Sequence, residues 1–237
     1  MIYHFDTIGS TNDEASSPRY RHGDIIQADY QTCGRGQRGN RWSAEAGQNL
    51  MFTLILEPTA LAATEQFSLL EAVALALVDV LSELGVEPTI KWTNDIYVGD
   101  SKLAGVLIEN TLRGANVARS IVGIGLNVNQ LEFDPSLPNP TSLARLFGHE
   151  LECGPLLERL HTALMARTER ITHAAAEHHS EYLAHLYRRG IQADFITATG
   201  TPLHGTIIDV HPHGTLHIQT PNGTIHHFQF KEIQFVI

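Results

Sequence analysis

The chain has 237 residues, 43% of them hydrophobic and 18% charged. That suits one large domain, or one domain with a small appendage, and speaks against global disorder. The net charge of −10 speaks against the broad basic surface that duplex DNA requires, so no nucleic-acid partner is expected. No apolar run reaches membrane-spanning length, and the N-terminus shows no basic start followed by an apolar core. The two cysteines, Cys33 and Cys153, are far apart and form no CxxC site. A soluble cytoplasmic protein is expected.

In chain order, "IYHFD" alternates like a strand, and "STNDEASS" offers Ser10 or Thr11 as the cap of a short helix. Residues 24–30 read as a strand, followed by a Gly/Arg loop, and residues 49–58 read as a buried strand closed by Pro58. Residues 64–84 carry the clearest helical period, with Thr64 as cap, a stripe from Phe67 through Leu84, and Gly85 as stop. "TIKWT", "DIYV", "KLAGVLIEN" and "ARSIVGIGLNVN" read as successive strands with short turns. Helices are expected near 141–147 and across 154–188. After Gly190, short β runs alternate with "TGTP", "PHG" and "PNG" turns, which predicts a small all-β appendage. Grouped helices beside turn-linked strands predict an α+β fold with a mixed or antiparallel sheet. The expected boundaries are 1–189 and 190–237.

"CGRGQRGNRW" (33–42) concentrates Arg35, Arg38 and Arg41 without an acid. Residues 34–39 match G-x-G-x-x-G, but that dinucleotide fingerprint needs a helix at the loop. The following "NRWSAEAGQNL" has no helical stripe. Two readings stand beside it. One is a solvated or RNA-binding Arg/Gly loop. The other is a ligand-closing loop, with glycines admitting an anion to the backbone, arginine forks gripping carboxylate or phosphate, and Trp42 stacking on a flat ring. A second cluster, "KWTNDIYVGDSKLAGVLIE" (91–109), sets Lys91, Asn94, Asp95 and Lys102 among apolar strand residues. Each alone reads as an ordinary hairpin residue.

Together the two stretches are very similar to the biotin protein ligases. That family pairs GRGRxGxxW with KWPNDxxxxxxKxxGxLxE, which stand here as "GRGQRGNRW" and "KWTNDIYVGDSKLAGVLIE". "STN" (10–12) and Gln31 lie where the family places biotin-pocket residues, and "GIGLNVN" (123–129) resembles its GxGxN segment. The resemblance implies a class II aminoacyl-tRNA-synthetase-like catalytic domain and a small C-terminal SH3-like β-barrel. Gln37 replaces the commoner second loop arginine, which is expected to loosen retention of the reactive intermediate. Thr93 replaces the usual proline, which is expected to relax the strand before Asn94. The chain starts at the catalytic region, so the DNA-binding domain of bifunctional relatives is not expected.

The resemblance implies two half-reactions: biotin plus ATP gives biotinyl-5′-AMP and pyrophosphate, and a carrier lysine then takes the acyl group. Arg35 and Lys102 are expected at the carboxylate and α-phosphate, and Arg38 and Lys91 on the pyrophosphate side. Asn94 or Asp95 is the expected Mg²⁺ ligand, and Asp95 is the candidate proton acceptor for the carrier amine. Ser10, Thr11, Asn12, Gln31, Gly34, Gly36 and Gly105 are expected around biotin. Trp42, Asn94 and Asn127 are expected around the adenylate. The implied partner is a biotin carboxyl carrier protein or carrier domain, and a homodimer is left open. A lipoate or octanoate ligase or transferase of the same fold is the rival reading. The histidine pairs His178–His179 and His211/His213 lack a matching Cys or acid cluster, so no structural metal is expected. Lys231 is expected on the surface of the appendage.

Overall fold

The computed structural model describes residues 1–237, the side chain of Arg38 excepted. Seven strands form the main sheet: β1 (Ile2–Ile8), β2 (Ile25–Gln31), β3 (Leu50–Leu56), β4 (Pro88–Lys91), β5 (Asp95–Val98), β6 (Ser101–Arg113) and β7 (Asn116–Leu126). Their spatial order is β1-β2-β3-β7-β6-β5-β4. β1 and β2 are parallel, and every other pair is antiparallel. This is the mixed sheet that the turn-linked strands predict.

The helices are α1 (Thr11–Ala15), α2 (Gln66–Glu83), α3 (Leu143–Phe147), α4 (Cys153–Thr168) and α5 (Ala175–Ala184). All seven positions of β3 are buried, because helices lie on both of its sides. Phe52, Leu54 and Leu56 join the large core with α2 and α4, whereas Ile55 packs with Ala15, Tyr20 and Ile26 on the α1 side.

Some element boundaries differ from expectation. Ser10 stands at the N-cap of α1 without a side-chain capping bond, and the Thr11 hydroxyl turns instead to Gln31. Thr64 lies in a 3-10 turn, and α2 begins at Gln66 without a side-chain cap. Residues 154–188 form two helices, because Ile171 and Ala174 turn inward to fill the core between α4 and α5. No helix among the described residues is long and apolar enough to cross a membrane.

A second, five-stranded antiparallel sheet comprises β8 (Gln192–Thr197), β9 (Pro202–Val210), β10 (Leu216–Gln219), β11 (Ile225–Phe228) and β12 (Ile233–Phe235). The β9–β10 turn docks it on the main body. There the Trp92 indole donates to the Gly214 carbonyl at 2.9 Å. Gly214, at φ +92°, lies against the Phe67 ring, where a side chain would collide.

Candidate active site

The Gly/Arg stretch folds as a tight hairpin. The Gly36 amide donates to the Asn40 carbonyl at 2.7 Å, and the Trp42 amide to the Gly34 carbonyl at 3.1 Å. Gln37–Gly39 forms the 3-10 turn between them, and Gly39 has φ +89°. Gly34 cannot carry a side chain, because a Cβ would strike the Trp42 carbonyl. The glycines thus shape the loop itself as well as leaving room for an anion.

Beneath the hairpin the sheet is bare. Gly105 on β6 pairs directly with Gly125 on β7, and Leu107 pairs with Gly123. Trp42 lays its indole over Gly125, where a Cβ would overlap the ring, and a Cβ on Gly105 would lie 3.2 Å from it. Asn12 fills the space over Gly123 in the same way. The glycines thus let Trp42 and Asn12 lie flat against the sheet, and together they line a cavity of about 590 Å³. The Trp42 indole N–H is buried without a partner among the described residues, which leaves a donor for a ligand.

Five cations line this cavity: Arg35, Arg41, Lys91, Lys102 and Lys231. Lys102 reaches Asp95 at 2.7 Å and lies 5.7 Å from the Trp42 ring centroid. Lys91 is half-buried, with its amine 5.2 Å from the Tyr97 ring and 4.9 Å from the Phe235 ring. That burial holds its pKa below the usual lysine value, against the pull of Asp95. Arg35 is engaged by Glu109 at 3.1 and 2.7 Å and by Asp13 at 2.8 Å. Its guanidinium therefore meets protein carboxylates first.

The opposite wall comes from α1 and its neighbours. Ser10, Thr11 and Asn12 are buried and line the cavity with Gln31. Gln31 Oε1 accepts from the Thr11 amide at 2.8 Å and the Thr11 hydroxyl at 3.1 Å. The Thr53 hydroxyl donates to Asn12 Oδ1 at 2.6 Å, and Asn12 Nδ2 donates to Glu109 at 2.8 Å. This network presents oriented donors and acceptors to the cavity.

Several expected residues stand differently. The Asn94 amide donates to the Val106 carbonyl at 2.5 Å, and its oxygen accepts from the Thr93 hydroxyl at 2.9 Å. Asn94 lines the cavity but is built into the strand turn, whereas the Asp95 carboxylate at the same wall is paired with Lys102. Besides that bond, the Thr93 carbonyl accepts from the Tyr182 hydroxyl at 3.2 Å. The Trp92–Thr93 peptide is cis. Asn127 lies outside the cavity, because its amide donates to the Thr141 carbonyl at 2.9 Å. Gly34 also stays behind the lining, whereas Gly36 belongs to it. The expected role of Arg38 falls on a side chain outside the described residues. Gln37 lines the cavity with its amide oxygen buried and unpartnered among the described residues.

Sequence reasoning missed three contributions. Glu109 ends the second motif, yet only the fold brings it to Arg35. Gly123 and Gly125 alternate in "GIG", a period-two signal that puts both on one face of a strand. The third is the C-terminal segment. Phe230, Lys231, Ile233, Gln234 and Phe235 line the cavity, so Lys231, exposed on the β appendage as expected, also stands at its rim.

A family model described as the biotin/lipoate A/B protein ligase family matches residues 5–127. The chain is 33% identical over 221 residues to the biotin--[acetyl-CoA-carboxylase] ligase of Paracoccus denitrificans, covering 87% of this chain and 89% of that one. It is also 33% identical over 167 residues to the bifunctional ligase/repressor BirA of Bacillus subtilis, covering 68% of this chain and 51% of the relative. The chain thus spans about half the length of that bifunctional relative. In fold it is similar to the biotin protein ligase of Aquifex aeolicus in complex with biotin and ATP, with a TM-score of 0.83, 22% identity and 99% of each chain covered. On the family match and the near full-length relative, the chain belongs to the biotin/lipoate A/B protein ligase family.

Proposed function

We propose that the protein activates biotin with ATP and transfers it to a lysine of a biotin carboxyl carrier protein domain. The observation that carries this reading is the meeting of Arg35, Lys91 and Lys102 on one glycine-floored cavity in an acidic chain. Uniting a carboxylate with a triphosphate requires cations on both anions. The similarity to the Paracoccus biotin--[acetyl-CoA-carboxylase] ligase, at 33% identity over 87% of this chain, supports it.

In the first step a biotin carboxylate oxygen bonds to the α-phosphorus, the bond from that phosphorus to the bridging oxygen breaks, and pyrophosphate leaves. Lys102 neutralises charge at the new acyl-phosphate, and Lys91 faces the departing side. Mg²⁺ held by the triphosphate, with Asp95 as its protein ligand, would supply further charge neutralisation. Trp42 and the hairpin cover the cavity and keep water from the mixed anhydride. In the second step the neutral carrier amine bonds to the acyl carbon, and the bond from that carbon to the phosphate oxygen breaks. AMP leaves, and Asp95 takes the amine proton. Ser10, Thr11, Asn12 and Gln31 face the biotin head group. The two free cysteines fit a reducing cytoplasm.

The test is complete transfer. An apo carrier domain incubated with biotin, ATP, Mg²⁺ and the protein should gain one biotin mass on one lysine. Gain of a lipoyl or octanoyl mass instead, when those acids are supplied, would assign the chain to the other branch of its family.

A further inference from the structure

We propose that Glu109 and Asp13 form a latch that holds the Gly/Arg hairpin over the cavity through Arg35. The hairpin has two anchors. At one end the Trp42 ring rests on Gly105 and Gly125. At the other, the Arg35 guanidinium takes a two-point pairing from Glu109, at 3.1 and 2.7 Å, and a third contact from Asp13 at 2.8 Å. A forked pair of this kind fixes direction as well as distance.

The acids come from elements outside the hairpin, Glu109 from β6 and Asp13 from α1. Glu109 is itself aimed, because Asn12 Nδ2 donates to its Oε2 at 2.8 Å. Asn12 is fixed in turn by the Thr53 hydroxyl at 2.6 Å and by the bare backbone at Gly123. Two elements, β6 and α1, therefore converge on one arginine of the lid. The Arg35 and Glu109 side chains are 40% and 39% exposed. Ion pairs in that setting are individually weak and screened by salt. Such a latch opens readily, as a lid that admits ligand must. Glu109 and Asp13 are positioning residues, because neither is assigned contact with the reacting atoms.

Limited trypsin digestion reads the latch directly, since Arg35, Arg38 and Arg41 place cleavage sites in the hairpin. Glu109→Gln, alone and with Asp13→Asn, should speed cleavage at residues 35–41 by about fivefold to tenfold, the scale of one or two lost ion pairs, with other sites cut at the native rate. Raising NaCl to about 0.5 M should speed hairpin cleavage in the native protein but not in the double variant. Hairpin cleavage at the native rate overturns the latch. So does faster cleavage along the whole chain, which marks Glu109 as generally structural. The kinetic arm rests on the ligase reading: Glu109→Gln should raise the KM for biotin with kcat nearly unchanged, and an equal fall in kcat overturns the positioning role. Proteolysis needs no substrate, so it judges the latch even if the activated acid is another one.

Discussion

The cavity depends on a few side chains, some present and some absent. Lys102 lies between Asp95 and Trp42, and its proposed place is at the new acyl-phosphate. Lys102→Ala should lower biotin-dependent ATP–pyrophosphate exchange by about 10²–10³-fold, the usual loss when one preorganised charge-stabilising group is removed. Exchange within a few-fold of native would remove Lys102 from the chemistry. Gly125→Ala tests the glycine floor, where the new methyl overlaps the indole of Trp42. We expect a shift in tryptophan emission, to which Trp92 is the only other contributor, and a KM for ATP raised about tenfold as the ring is pushed off its seat. Unchanged emission would show that the floor tolerates a methyl. At this scale the sequence was most legible where residues cluster: Arg35, Trp42, Lys91, Asp95 and Lys102 lie in two short motifs. Glu109, Asn12 and Thr53 form one chain of contacts from three separate segments, and no local pattern announces that they meet.

Among the elements, α2 shows what periodicity conveys and what it hides. The stripe from Phe67 to Leu84 predicted the helix, but α2 is covered on more than one side, so Glu71 is also buried at 1% exposure. Burial raises its carboxyl from the ordinary 4.5 to about 7, although His179 Nδ1 at 2.6 Å pulls the other way. The folded chain therefore retains a proton there that the unfolded chain releases between about pH 4.5 and 7. Stability should fall as pH rises through that window and stay lower above it, by on the order of 2–3 kcal/mol. Urea unfolding at pH 5 and pH 7.5 measures it, and Glu71→Gln should flatten the difference. A native difference that persists in Glu71→Gln belongs to other groups. The break between α4 and α5 was hidden for a related reason. "ERITHA" (169–174) contains neither Gly nor Pro, and the turn is imposed by Ile171 and Ala174 packing inward. The alternating strand runs were legible because a strand states its buried face every second residue.

The two sheets of the molecule meet beside the cavity. Trp92 belongs to the lysine motif, yet its indole donates to Gly214 in the second sheet and its ring packs edge-on to Phe230, with centroids 6.2 Å apart. The turn-rich composition after Gly190 foretold that sheet but not its contact with the cavity, since docking depends on partners more than a hundred positions apart. Trp92→Phe keeps an aromatic ring but removes the donor and part of the buried indole. It should cost about 2–3 kcal/mol of stability, for one hydrogen bond and the space left behind, and raise substrate KM values by loosening the wall that carries Phe235. Thermal unfolding with exchange kinetics checks both, and native KM values would make the contact purely structural. The central claim is that this wall, the glycine floor, Arg35, Lys91 and Lys102 serve the adenylation of biotin. ATP–pyrophosphate exchange with purified protein and Mg²⁺, supplied in turn with biotin, lipoate and octanoate, tests it most directly. The account predicts exchange with biotin alone; exchange with lipoate or octanoate, or with none of the three, would contradict it.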